Sequence, residues 1–264
     1  PWAPRGTRKR RRLRAALRNL RRFRVPGGAQ GWECPVLEPD VLASAYGVRA
    51  CVWAYMATGE KEWLEDARFW ARTGLAFQYA WDDGEHPGMR YASIPVFGST
   101  FFTHSWIGLP VQWCGYVYGY GLRELSRFDD DPIWRKQADG IAVSGLYQQW
   151  PMENQELAGT LPDSWGQWFT RRNGPHINPE NILLNVLAMQ GLDPGLRSVP
   201  LPAADGLLHV TAPADFKPAL SGEEVRADFR YPAGETFYVT IAPVAGDERV
   251  QIQAGGETLP RRPS

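Results

Sequence analysis

Cysteine and histidine are scarce in this chain, with three of the first and four of the second in 264 residues. Cys34, Cys51 and Cys114 are odd in number and stand in no metal-ligand spacing. That excludes a disulfide-rich scaffold, though not an exported enzyme. No His-x-x-x-His or carboxylate–histidine pair has close ligand spacing, so no metal is expected. A Gly-rich phosphate loop, a Gly-x-Ser-x-Gly elbow and a dinucleotide fingerprint are also missing, and no cofactor is expected. No apolar run reaches the roughly 18 residues of a membrane span. The basic N-terminus has no apolar segment after it of the kind a signal peptide carries. The start at Pro1 reads as a fragment or processed form. A periplasmic or secreted location is slightly favoured over a cytoplasmic one.

Tryptophan, by contrast, is abundant. Eleven of the 12 fall between Trp32 and Trp168. Core packing alone accounts poorly for that density, because each buried indole N–H needs a partner. The formal charge of zero hides a division. Residues 1–24 hold 11 basic side chains and no acid, which leaves 29 − 11 = 18 basic against 29 acidic elsewhere, a net of −11. An acidic body argues against nucleic acid as the partner of the main domain.

Three regions follow: a basic arm or linker (1–28), a helical-hairpin domain (29–195) and a small β-rich, sandwich-like domain (203–260). Within the arm, 8–24 could form a basic helix with Leu13, Leu17 and Leu20 on one stripe. Its readings are a nucleic-acid or anionic-lipid arm, or a charged linker. After Pro39-Asp40, Val41, Ala45, Val48, Val52 and Tyr55 recur at helical spacing until Gly59. The next helix opens at once, with Trp63, Ala67, Trp70 and Gly74 as its stripe and acids in its first turn. Further helices are expected at 111–127, after Asp131-Pro132 (stripe Trp134, Ala138, Ile141, Leu146) and after Pro179 (Ile182, Leu183, Val186, Leu187). Beyond Pro194, prolines break helices and alternating runs predict strands at 207–211, 225–231, 237–242 and 250–253.

The links are unequal. Those at 57–60 and around 128–131 are short and make antiparallel neighbours. The segments before 41, 81–110 and 151–178 are long and polar. If the helices they lead into run parallel, all three loops emerge at one end, where function tends to collect. Candidates on the first loop are Trp32, Glu33, Glu38 and Asp40. The second offers Arg90, Tyr91, His104 and Trp106, with Gln112 and Trp113 at its edge. The third offers Asp163, Trp165, Trp168, Arg171, His176 and Asn178. Paired carboxylates in different environments can divide acid and base roles, as glycoside cleavage needs. Indole faces suit the C–H faces of sugars. Asp40 equally suits an N-cap, Asp163 a turn, and His86 and His209 plain surface and strand positions.

The hairpin Ala-Tyr-Met-Ala-Thr-Gly-Glu-Lys-Glu-Trp-Leu-Glu-Asp-Ala-Arg-Phe-Trp-Ala (54–71) resembles the repeating hairpin of α/α-toroid, six-hairpin glycosidase-like enzymes and related polysaccharide lyases. There, a helix ends in Thr-Gly-acid and the next opens on an aromatic-Leu-x-x-Ala pattern. The resemblance covers about 39–192 and is one of architecture, with no signature of a particular glycosidase or lyase family. It implies a mainly α chain, helical hairpins of a toroid followed by a β-rich domain, and a Trp- and carboxylate-lined cleft on the loops. A full toroid has more helices than the five read in this part of the chain, so a C-terminal portion is implied.

On this reading the chain is a glycoside hydrolase acting on an oligo- or polysaccharide. Glu33 and Asp163 form the acid/base pair, with Asp40 a third carboxylate. Trp32, Arg90, His104, Trp106, Gln112, Trp165, Trp168, His176 and Asn178 bind substrate. A lyase would instead use His104 or Tyr91 as base and Arg90 or Arg171 against a uronate. A non-catalytic glycan-binding or helical-repeat protein is the third expectation.

Overall fold

The computed structural model describes residues 7–32, 34–98, 108–166, 169–177, 180–192, 195–203, 206–222, 224–231, 234, 236–242, 253–254 and 257–258. Six helices come first: α1 (Thr7–Leu20), α2 (Val41–Thr58), α3 (Glu62–Leu75), α4 (Gln112–Leu125), α5 (Pro132–Gln148) and α6 (Glu180–Met189). A hairpin of β1 (Leu161–Trp165) and β2 (Arg172–Ile177) interrupts them before α6.

The boundaries follow local chemistry. Asp40 caps α2 by accepting from the Ala43 amide at 2.6 Å. Gly59 ends α2 in the left-handed region (φ 71°), and its N–H donates to the Tyr55 carbonyl. Asp131 caps α5, with Pro132 at the first helical position.

Helices α2, α4 and α6 lie side by side, α4 packing against both its neighbours, while α3 and α5 nest against this row from the outside. The core they share is aromatic and tight. Trp63, Trp134, Tyr116 and Tyr118 are fully buried. Two helical glycines admit rings: a Cβ at Gly47 would lie 2.5 Å from the Trp70 ring, and one at Gly74 would run into Tyr118. The expected core stripes hold except at Leu146 and Leu183, which are exposed. Both lie on helices with fewer packed neighbours than α4, so a residue on the periodic stripe can still face solvent.

Helix α1 docks by the expected stripe. Leu17 is buried, and Leu13 and Leu20 pack against the same core. Its Arg14 pairs with Glu60, and Arg21 pairs with Glu62 and Asp66 at 3.0 and 2.7 Å. The acidic first turn of α3 thus serves the helix dipole and also holds α1.

The small sheets follow. Strands β3 (Arg197–Ala203), β4 (Gly206–Ala212) and β7 (Thr240–Ala242) form one, in the order β3-β4-β7. Strands β5 (Asp215–Ser221) and β6 (Glu224–Arg230) form a hairpin, and β8 (Gln253–Ala254) and β9 (Glu257–Thr258) another. The prolines expected to break helices do so and sit inside strands: Pro200 and Pro202 in edge strand β3, and Pro218 in a two-stranded ribbon. Those are places where a missing N–H is tolerated. Phe216, Phe229 and Phe237 make the β core.

This β region packs at the short-link end of the helices. Leu207 lies against Gly59, and Lys217 reaches Asp130 at 2.9 Å. Arg197 donates to the Arg127 carbonyl at 2.5 Å while pairing with Asp215. The described helices and sheets show no closed ring.

Candidate active face on the helix-end loops

The opposite end belongs to the three long loops, and backbone hydrogen bonds tie them together. The Val41 amide donates to the Pro95 carbonyl (3.0 Å), and Phe97 donates to Pro39 (3.3 Å). Val111 donates to Ser93 (2.7 Å), and Trp165 donates to Pro110 (2.9 Å). The starts of α2 and α4 and the end of α3 therefore meet there. The end of α5 joins them, because Ser144 Oγ donates to the Gly88 carbonyl at 2.6 Å. This is the convergence expected from unequal link lengths.

Beneath the surface lies a polar brace. Gln112, fully buried, accepts from the Ser93 amide (2.9 Å) and from Gln148 Nε2 (3.0 Å). Its own amide donates to the Ile141 carbonyl (2.9 Å). Gln112 thus holds loop to helix. Above it, Met89, Ala92, Trp165 and Phe169 form a second small core, with Tyr79 at its edge. Two bulky residues here adopt left-handed backbone, Tyr91 (φ 66°) and Phe169 (φ 54°). Strain of this kind gathers at sites whose geometry is fixed by their surroundings.

Beside this core is an open cleft of about 680 Å³. It is lined by Trp150, Pro151, Glu153, Asn154, Gln155, Glu156 and Arg172. The guanidinium of Arg172 lies 4.4 Å from the Trp165 ring and 5.4 Å from the Trp150 ring. It donates to the carbonyls of Gln148 (3.4 Å) and Gln149 (3.0 Å) at the end of α5. Burial lowers its pKa from the usual arginine value. Among the described residues, the buried indole N–H groups of Trp150 and Trp165 find no hydrogen-bond acceptor. The cleft therefore combines a carboxylate pair, carboxamides, an indole and a cation.

The expected residues are distributed as follows. Asp163 lies in β1 where the register with β2 shifts between Pro162 and Ser164, an irregularity that re-aims side chains. Trp165 is buried beneath Arg172 and Phe169. Asp40 is 1% exposed and also accepts from the Ala29 amide at 2.9 Å. Burial raises its pKa, against the backbone donors that lower it. Trp32 is exposed, and Arg90 is exposed with its guanidinium 5.6 Å from the Tyr91 ring. His176 pairs through its backbone with Pro162. Glu33, His104, Trp106, Trp168 and Asn178 lie outside the described residues.

Two features were not read from the sequence. The β1–β2 hairpin lies within a segment expected to be loop, because its Pro and Gly content masks the alternation. The second feature is His86, whose Nδ1 sits 2.7 Å from Asp83 Oδ2, with its ring stacked on Phe169 at 6.1 Å. The hydrogen bond from His86 lowers the Asp83 pKa. The cue was Asp-Gly-Glu-His, an Asx-type turn that returns the carboxylate to a residue three positions on. Among the described residues, no group of three or more potential ligands could hold a metal ion, and no helix is long and apolar enough to cross a membrane.

Comparison with known proteins gives no match to a family model, a curated protein or a solved structure.

Proposed function

We propose that this chain is a carbohydrate-active protein, a glycoside hydrolase built on α/α-toroid hairpins, that holds its saccharide on the loop face. The observation that carries this reading is the meeting of three Trp- and carboxylate-bearing loops at one end of the helices, where the third of them forms an open cleft. Support also comes from the alternation of the row α2, α4, α6 with outer helices, two hairpins in succession followed by a third helix of the row.

In this reading Trp150 is the sugar platform, and Glu153 and Glu156 accept hydroxyl hydrogen bonds. Asp163 and Glu33 divide the acid and base roles. Trp32 and Trp168 extend the subsites. The test is a glycan-panel hydrolysis screen comparing wild type with Glu33→Gln and Asp163→Asn. The expected result is turnover of at least one glycan, reduced by a factor of 10² or more in each variant. Turnover unchanged in both would remove the catalytic assignment.

The open form of the cleft and the capping duty of Asp40 favour a second reading, a non-catalytic glycan-binding module. It predicts saccharide binding that depends on Trp150, with no turnover of any panel member.

A further inference from the structure

Helix α1 carries more positive charge than its docking uses. Taking 100° per residue, Leu13, Leu17 and Leu20 form one narrow stripe, and this stripe is spent against the core. Arg14 and Arg21 flank it and are held by Glu60, Glu62 and Asp66. Arg8, Arg11 and Arg18 fall within roughly 50° of the opposite direction, with Arg12 beside them and Arg22 in the turn that follows the helix. All five are exposed, and among the described residues no carboxylate pairs with any of them. From Arg8 to Arg18 the row extends about 15 Å along the helix, with Arg22 just beyond its end. Its outer face has no acid to interrupt it.

We propose that this arginine row on α1 is a docking track for an acidic polysaccharide, one bearing carboxylate or sulfate groups. The choice of polymer rests on the carbohydrate reading above; the track itself rests on the geometry of α1. Guanidinium groups pair with carboxylate and sulfate in a planar, two-pronged way that ammonium does not reproduce. Insertion into a bilayer would need a free apolar face, and the leucine stripe of α1 is already buried. Single-stranded nucleic acid is gripped by aromatic rings between its cations, and the row between Arg8 and Arg22 contains none. The remainder of the chain, at net −11, repels a polyanion elsewhere and confines it to this helix.

The test is fluorescence anisotropy with a labelled heparin-type oligosaccharide, at low and at physiological salt. The variants are R8Q/R11Q/R18Q/R22Q and, as an equal-sign surface control, R135Q/K136Q on α5. Circular dichroism and melting temperature are read in parallel to show that α1 stays docked. The expected result is salt-dependent binding, weakened roughly a hundredfold by the row variant and little by the control. Unchanged binding in the row variant would overturn the proposal. So would duplex DNA or anionic vesicles binding more tightly than the oligosaccharide. A neutral oligosaccharide separates the two readings: its binding to the loop face should be indifferent to the row variant. Neutral binding without acidic binding would defeat the track alone. Acidic binding through the row without any loop-face binding would defeat the carbohydrate reading of the cleft and leave the track.

Discussion

Asp129 illustrates how single residues hold this molecule. It is buried at the α4–α5 turn, accepts from Arg68 Nε at 2.5 Å and from Trp134 Nε1 at 3.1 Å, and caps the Asp131 amide. Burial raises its pKa, but the donors prevail and keep it below the usual carboxylate range. A carboxyl depressed in the fold contributes stability above its unfolded pKa and loses it as pH falls through the folded value. Stability should therefore drop below about pH 4. Asp129→Asn should lower it by about 2 kcal/mol at neutral pH and flatten that acid limb. Urea unfolding across pH checks both. Gly74→Ala should destabilise by about 2 kcal/mol through overpacking against Tyr118. In the cleft, Trp150→Ala should weaken saccharide binding about tenfold while the melting temperature changes little, readable by calorimetry and thermal melting.

At the scale of elements, much was legible because it rested on periodicity and caps. Val41, Val48 and Val52 marked α2, Asp131-Pro132 opened α5, and Gly59 closed α2, all by rules that act within a few residues. Strands were less legible. Pro200 and Pro218 sit in strands because edge positions forgive a missing donor, which depends on neighbours far along the chain. The site was legible as a place more than as a set of residues. Loop length located the pole, but Trp150 and Arg172 meet only through the β1–β2 hairpin, a long-range contact. Arg197 acts at the same scale. Burial lowers its pKa to about 10, and it is clamped between Phe128 and Phe216 while bonding Asp215 and the Arg127 carbonyl. Arg197→Ala removes the packing between Phe128 and Phe216 and the bond to the Arg127 carbonyl, and should cost about 2 kcal/mol. Hydrogen exchange should then rise selectively over β3–β7 while α2–α5 stay protected.

Across the whole molecule, the two ends of the helical layer have different roles. Short links and the β region close one end, fixed by Leu207 on Gly59 and by Arg197. The other end is left to long loops bound to one another through Ser93, Pro95 and Pro110. In the proposed function, rigidity at one pole gives the loops at the opposite pole a steady frame on which to hold a saccharide. The most direct measurement of that claim is hydrogen–deuterium exchange with and without the best-binding oligosaccharide from the panel. The loop-face account predicts added protection in residues 76–98 and 149–177, with the β3–β6 strands unaffected. Protection confined to the β strands, or to neither region despite saturated binding, would contradict it.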